Sequence, residues 1–330
     1  QKWGARGVVM ANGLEALLEQ WQEFMLIQRG LRARGVARYA STVRGFFAWR
    51  QSLDVTTITR AEVERWQKAL YLELGNLSNR SRASKLSALR NFCRWLLYTN
   101  TIKADPTEGI PSPKALRLLP SKFSKDELRR LFAAPDLETR QGVRDLAILK
   151  TLYASGLRVS ELVALDVGHL IDTGGYIRIQ VIDGKGGKGR TLTLRSNPST
   201  TLRRWLTIRS GIESESAAVF VRLRGSVGRL SEVSIQNILK KHAATAGIDP
   251  TTAHCHKLRA TFASDLYDSG HDHCPRCGHA IQYVGVLEVG AQLGHDDVKT
   301  TMGYIAISDR VLKKTAIPDR RLREIEREED

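Results

Sequence analysis

"ASGLRVSELVAL", residues 154–165, is the stretch on which the reading of this chain turns. The apolar-periodic run "RQGVRDLAILKTLYASG" (140–156) stops at Gly156, a residue type that closes helices in the left-handed conformation. Arg158 follows at once, at the start of a second helical pattern, "RVSELVALDVGHL" (158–170). Glu161 comes three residues later, so its side chain shares a face with Arg158. An arginine on a helix is ordinarily a solvated residue or an ion-pair partner. A guanidinium is also planar, permanently charged and suited to gripping a phosphate. What surrounds Arg158 in the rest of the chain decides between the two.

Three further patterns follow in order. "GYIRIQVID" (175–183) alternates like a strand, "RTLTL" (190–194) returns, and "DGKGGKGR" (183–190) turns between them, a β-hairpin with Lys185 near its tip. "HCHKLRATFASDL" (254–266) is helical and carries His256 and Arg259. "LGHDDVKTTMGY" (293–304) carries His295 and Tyr304. Cutting a phosphodiester without a metal needs a nucleophile, fixed cations where charge builds, and a proton donor for the leaving oxygen. Tyr304 supplies a nucleophile whose ester conserves the bond energy; Arg158 and Arg259 supply fixed cations; Lys185 supplies a mobile ammonium.

The bulk numbers agree with a polyanionic partner. The 330 residues suggest two domains. Fifty-one Lys and Arg against 35 Asp and Glu give a formal charge of +16, a field that captures nucleic acid. No run approaches the ~20 apolar residues of a membrane span, the start does not read as a signal peptide, and four cysteines make no disulfide framework. The expectation is a protein of the reducing cytoplasm, with no membrane partner. The first hundred residues are helical: 12–30, 37–52, 59–74 behind a Thr59–Glu62 capping box, and 78–100. In the last, Leu86, Leu89, Phe92, Leu96 and Leu97 face inward, and Arg80, Arg82, Lys85, Arg90 and Arg94 crowd the other positions. That excess of one sign favours a phosphate-facing role. A proline-rich stretch follows, and Ser124 restarts a helix with Glu127 at its third position.

Taken together, "GLRVSEL", "GKGGKGR", "HKLR", "LGH" and "TTMGY", with Tyr304 nine residues after His295, resemble the tyrosine recombinase (phage integrase) family, its Xer branch above all. Each motif is modestly specific; the ordered set is highly specific. The resemblance runs from about residue 14 to 313. It implies a mostly α fold with a small β-sheet, built as a two-domain C-shaped clamp. Residues 1–112 would be a helical, SAM-like core-binding domain, 113–121 a linker, and 122–330 a mixed α/β catalytic domain with a subunit-docking tail. It implies a site-specific DNA recombinase working through a 3′-phosphotyrosyl intermediate and a Holliday junction. Tyr304 would be nucleophile; Arg158, Arg259 and His295 would hold the phosphate; Lys185 would be the general acid. His256 would assist proton transfer and Glu161 would be structural support. The partners implied are double-stranded DNA with inverted-repeat core sites and a homotetramer on two paired sites, with or without a partner recombinase or accessory factor. Catalysis would require no cofactor. A type IB topoisomerase shares the chemistry, and a non-catalytic DNA-binding accessory protein would share the charge. The Xer-like helical domain argues against the first, the intact residue set against the second.

The sequence departs from the Xer pattern in three places. Ala260 stands where a histidine is usual after the second arginine. "HCH" offers His254 beside His256, and the His-x-x-Arg spacing selects His256. The distance from Arg259 to His295 is longer, the excess falling on "HDHCPRCGHA" within an insertion at about 270–282. Cys274 and Cys277, with His271 and His279 (or His273), form a Cys₂His₂ set for a structural zinc. Two free thiols or a local disulfide are the other readings, and Cys255 is a further sulfur nearby. Metal analysis under reducing conditions separates them: about one zinc per chain supports the ligand set, and none removes it.

Overall fold

The computed structural model describes residues 13–114, 120–182, 189–269, 285–294 and 298–306. The chain forms two compact units, residues 1–118 and 119–330. Among the described residues, no helix is long and apolar enough to cross a membrane.

The first unit is helical: α1 (Leu14–Ile27), α2 (Ala33–Arg50), α3 (Arg60–Leu72) and α4 (Asn79–Tyr98). Thr59 and Glu62 close a reciprocal capping box at the start of α3. The helices bury one aromatic core. Trp21 meets Phe92 edge-on with ring centroids 5.1 Å apart, and Phe46 meets Trp66 in the same way at 5.1 Å. Such edge contacts add about 0.5–1.5 kcal/mol each beyond area burial. Leu86, Leu89, Phe92 and Leu96 of α4 are buried as their spacing predicts. Leu97 is not: it is 39% exposed, because its neighbour Leu96 already takes the core side of that turn.

The second unit carries α5 (Lys125–Ala133), α6 (Arg140–Ser155), α7 (Val159–Ala164), β1 (Leu170–Asp172), β2 (Tyr176–Val181), β3 (Arg190–Arg195), α8 (Ser196–Ser210), α9 (Glu232–Thr245), α10 (Cys255–Ser269), α11 (Val286–Leu293) and α12 (Val298–Ile305). The three strands form one antiparallel sheet in the order β1-β2-β3, with Val181 opposite Arg190. Ile177, Ile179, Val181, Leu192 and Leu194 turn inward, the alternation that marked the hairpin.

Two elements differ from the sequence reading. The helical pattern over 158–170 ends at Ala164. Leu165 takes an extended conformation, its carbonyl accepts from the Val219 N–H, and Val167 N–H donates to Ala217. The backbone has left the helix to pair with a distant segment. In addition, α8 forms over "SNPSTTLRRWLTIRS", a stretch to which the sequence reading assigned no element. Pro198 lies in the first helical turn, where its missing N–H costs nothing.

Helix α10 is the spine of the unit. Tyr153 of α6 donates to Asp265 at 2.8 Å, and the Phe123 N–H donates to Thr261 Oγ1 at 2.9 Å. The join between α6 and α7 presses on the same helix. Gly156 has φ +61°, and a Cβ there would lie 2.3 Å from the Phe262 ring and 3.0 Å from Leu293. Gly156→Ala therefore meets both backbone strain and overpacking. It should destabilise the protein by about 2–4 kcal/mol, read as a lowered denaturation midpoint at unchanged m-value.

Candidate active site

Four elements of the second unit converge. Arg158 is the N-cap of α7; His256 and Arg259 sit on the first turns of α10; Tyr304 ends α12; and α11 brings its C-terminus between them. Ala260, Ala263, Val289, Leu293 and Tyr304 pack as a small apolar cluster that fixes α10, α11 and α12 together. The approach of α11 to α12 is close: a Cβ on Gly290 would lie 3.1 Å from Thr301 Oγ1.

The Tyr304 hydroxyl lies 2.8 Å from Nε2 of His256. The tyrosine is only 3% exposed, and burial raises its phenol above the ordinary value although Arg259 and Arg158 pull the other way. The phenol is therefore neutral near pH 7, with the His256 imidazole within hydrogen-bond distance of its oxygen. His254 does something different. Its Nδ1 accepts from the Lys257 N–H at 3.0 Å, capping the start of α10.

Arg259 is 2% exposed and donates to the carbonyls of Gly156 and Leu293. Burial, and then the like charge of Arg158, bring its guanidinium down to about 10, so it stays protonated at neutral pH. Arg158 donates through Nη2 to Gly294 at 2.9 Å and through Nη1 to Glu161 at 2.7 Å. Glu161, 6% exposed, also accepts from the Arg158 N–H at 2.8 Å. Arg190, which the sequence reading did not single out, completes that carboxylate with two bonds of 3.0 and 2.8 Å. Burial would push the Glu161 carboxyl up; the Arg190 and Arg158 donors outweigh it and hold it at about 2. The three guanidiniums against one carboxylate leave a local surplus of positive charge, the electrostatics of an anion site.

Other candidates are spread more widely. On α4, Arg80 and Arg94 are exposed, while Arg82, Lys85 and Arg90 are half-buried. Arg82 lies over the Tyr71 ring and donates to Asn79; Arg90 donates to Ser112 and to the Ile110 carbonyl. Arg94 lies 3.9 Å from Asp105. Cys255 is buried, and burial pushes its thiol up to about 12. Lys185, His295 and the whole Cys/His set, His271, His273, Cys274, Cys277 and His279, lie outside the described residues.

Comparison with known proteins adds identity to this geometry. Residues 121–310 match the model of the phage integrase family, and residues 18–100 match the phage integrase N-terminal SAM-like domain. Tyrosine recombinase XerC of Escherichia coli O139:H28 (strain E24377A / ETEC) is 34% identical over 277 residues, which is 84% of this chain and 83% of that one. Among solved structures, the fold is similar to the XerH site-specific recombinase bound to its palindromic difH substrate after cleavage. That pair has TM-score 0.69 and 19% identity, covering 90% of this chain and 83% of the other. It is also similar to a lambda integrase tetramer bound to a Holliday junction, with TM-score 0.64 and 16% identity, covering 90% and 78%. The protein is thus a site-specific DNA recombinase. It belongs to the phage integrase family of tyrosine recombinases and is of the Xer type.

The depressed Glu161 carboxyl carries a pH dependence. Its stabilisation is complete above the ordinary value of 4.5 and is lost as pH falls through that value toward about 2. Relative to Glu161→Gln, the native protein should be more stable by about 3 kcal/mol at pH 7, with the gap narrowing below about pH 4. Urea titration at several pH values measures it.

Proposed function

We propose that Tyr304 attacks a DNA backbone phosphate, forms a 3′-phosphotyrosyl bond and releases a 5′-hydroxyl that then attacks the partner strand. The observation that carries this reading is the 2.8 Å bond from the Tyr304 hydroxyl to His256 Nε2, with two arginines alongside. His256 takes the phenolic proton. Arg158, Arg259 and His295 hold the phosphate and stabilise the charge that builds on its oxygens. Lys185 protonates the leaving 5′-oxygen. Glu161 keeps Arg158 in place. The set needs no metal or nucleotide; a zinc on Cys274, Cys277, His271 and His279 would steady the inserted loop only.

In this reading residues 1–112 form the core-binding domain, 113–121 the linker and 122–330 the catalytic domain, whose C-terminal tail docks on a neighbouring subunit. Arg80, Arg82, Lys85, Arg90 and Arg94 of α4 contribute phosphate contacts. The substrate is duplex DNA with inverted-repeat core sites, exchanged through a Holliday junction by a tetramer on two sites, in the reducing cytoplasm. The 34% identity to XerC and the likeness to DNA-bound recombinases support it.

Tyr304→Phe should bind a nicked suicide duplex as well as the native protein and form no covalent complex; a complex that persists overturns the assignment. Binding by either protein should weaken steeply between 50 and 200 mM salt, by about 10³-fold or more if six or more phosphates are contacted.

A further inference from the structure

Arg190 opens β3 at the base of the hairpin, and its side chain is 12% exposed. Its guanidinium meets Glu161 as a fork on a carboxylate: Nη1 on Oε1 at 3.0 Å and Nη2 on Oε2 at 2.8 Å. Its Nε donates to the Gln292 carbonyl at 3.0 Å. The same two carboxylate oxygens receive Arg158, Oε1 from its Nη1 and Oε2 from its N–H. Helix α11 repeats the pattern along its end. Gln292, Leu293 and Gly294 offer consecutive carbonyls to Arg190, Arg259 and Arg158 respectively. A guanidinium serving only the surface would not be tied to β3, α7 and α11 at once.

We propose that Arg190 is a positioning residue for the recombination reaction, aiming the Arg158 guanidinium through the shared Glu161 carboxylate. The inference rests on the reading of Arg158 as a phosphate ligand. Arg158 keeps a quarter of its side chain exposed, so its direction depends on the few groups that bind it: Glu161 and the Gly294 carbonyl. Glu161 in turn is buried and stays ionised because cations face it from three elements, Arg158 at the start of α7, Arg190 on β3 and Arg259 on α10. Removing Arg190 deletes both bonds of the fork. The buried carboxyl then drifts toward its neutral form, and a neutral Glu161 no longer anchors a guanidinium. Misplacing a phosphate ligand by about 1 Å is enough to cost about 100-fold in rate.

The test uses the full chain and a nicked duplex whose inverted-repeat core site is selected by binding from a random pool. Formation of covalent complex is timed from about pH 8.5 to 5.5, each variant being expressed as a ratio to the native protein so that other titrating groups cancel. Arg190→Ala should be slower by about 100-fold at the acid end and recover toward high pH. The double variant Arg190→Ala with Glu161→Gln should give a flat ratio, and Arg190→Lys, which keeps a charge on Glu161, should recover most of the rate. A ratio for Arg190→Ala that is constant with pH, or equal to one, overturns the inference. Where Arg190→Ala does not fold, Arg190→Met keeps the stem and is judged by the same ratio. Absence of complex with the native protein would instead overturn the phosphotyrosyl reading.

Discussion

One buried carboxylate organises the active site. Glu161 has two oxygens and accepts four bonds, from the Arg158 N–H, the Arg158 guanidinium and both ends of the Arg190 fork. A charge with so little exposure is tolerable only when its lone pairs are filled by cations. The arrangement fixes more than a side chain. It sets the first turn of α7, holds the edge of the sheet against that turn, and leaves Arg158 facing the end of α11.

Around that anchor, the described part of the site is built from donors and acceptors. Carbonyls at the end of α11 and at Gly156 receive the guanidiniums of Arg158, Arg190 and Arg259. A helix C-terminus is the favourable place for cations. It steadies them without neutralising them, since a carbonyl carries only a partial charge. The surplus positive charge therefore remains for an anion that arrives from outside.

The candidate site residues drew attention in the sequence because they come in an ordered set. Arg158 and Glu161, then His256 and Arg259, then Tyr304, each read as ordinary alone and as chemistry together. The structure brings these five into one place. Arg190 was quoted within its motif and passed over, because an arginine opening a strand looks like any solvated charge; its partner lies 29 residues away in sequence. The helix over 158–170 was overextended for a related reason. Leu162, Leu165 and Val167 keep a helical rhythm, but the backbone bonds of Leu165 and Val167 go to residues 217–219, which no local pattern announces. Helix α8 was not read from the sequence at all; its Pro198 falls in the first turn, where a proline is tolerated. The overextension of the 158–170 helix has a plain cause: local spacing reports which side chains are apolar, not which distant backbone competes for the hydrogen bonds.

The burial of Tyr304 would also bear on the fate of the bond proposed for it. An enzyme that lets water reach its phosphoryl ester is a nuclease, and it leaves broken ends behind. The Tyr304 side chain here packs with apolar residues of α10 and α11, its hydroxyl lies 2.8 Å from His256 Nε2, and the residue is 3% exposed. Exclusion of water from such a position suppresses hydrolysis as a side reaction. On the proposed reading, the same packing that makes the tyrosine hard to ionise also favours a DNA hydroxyl over a water molecule as its successor.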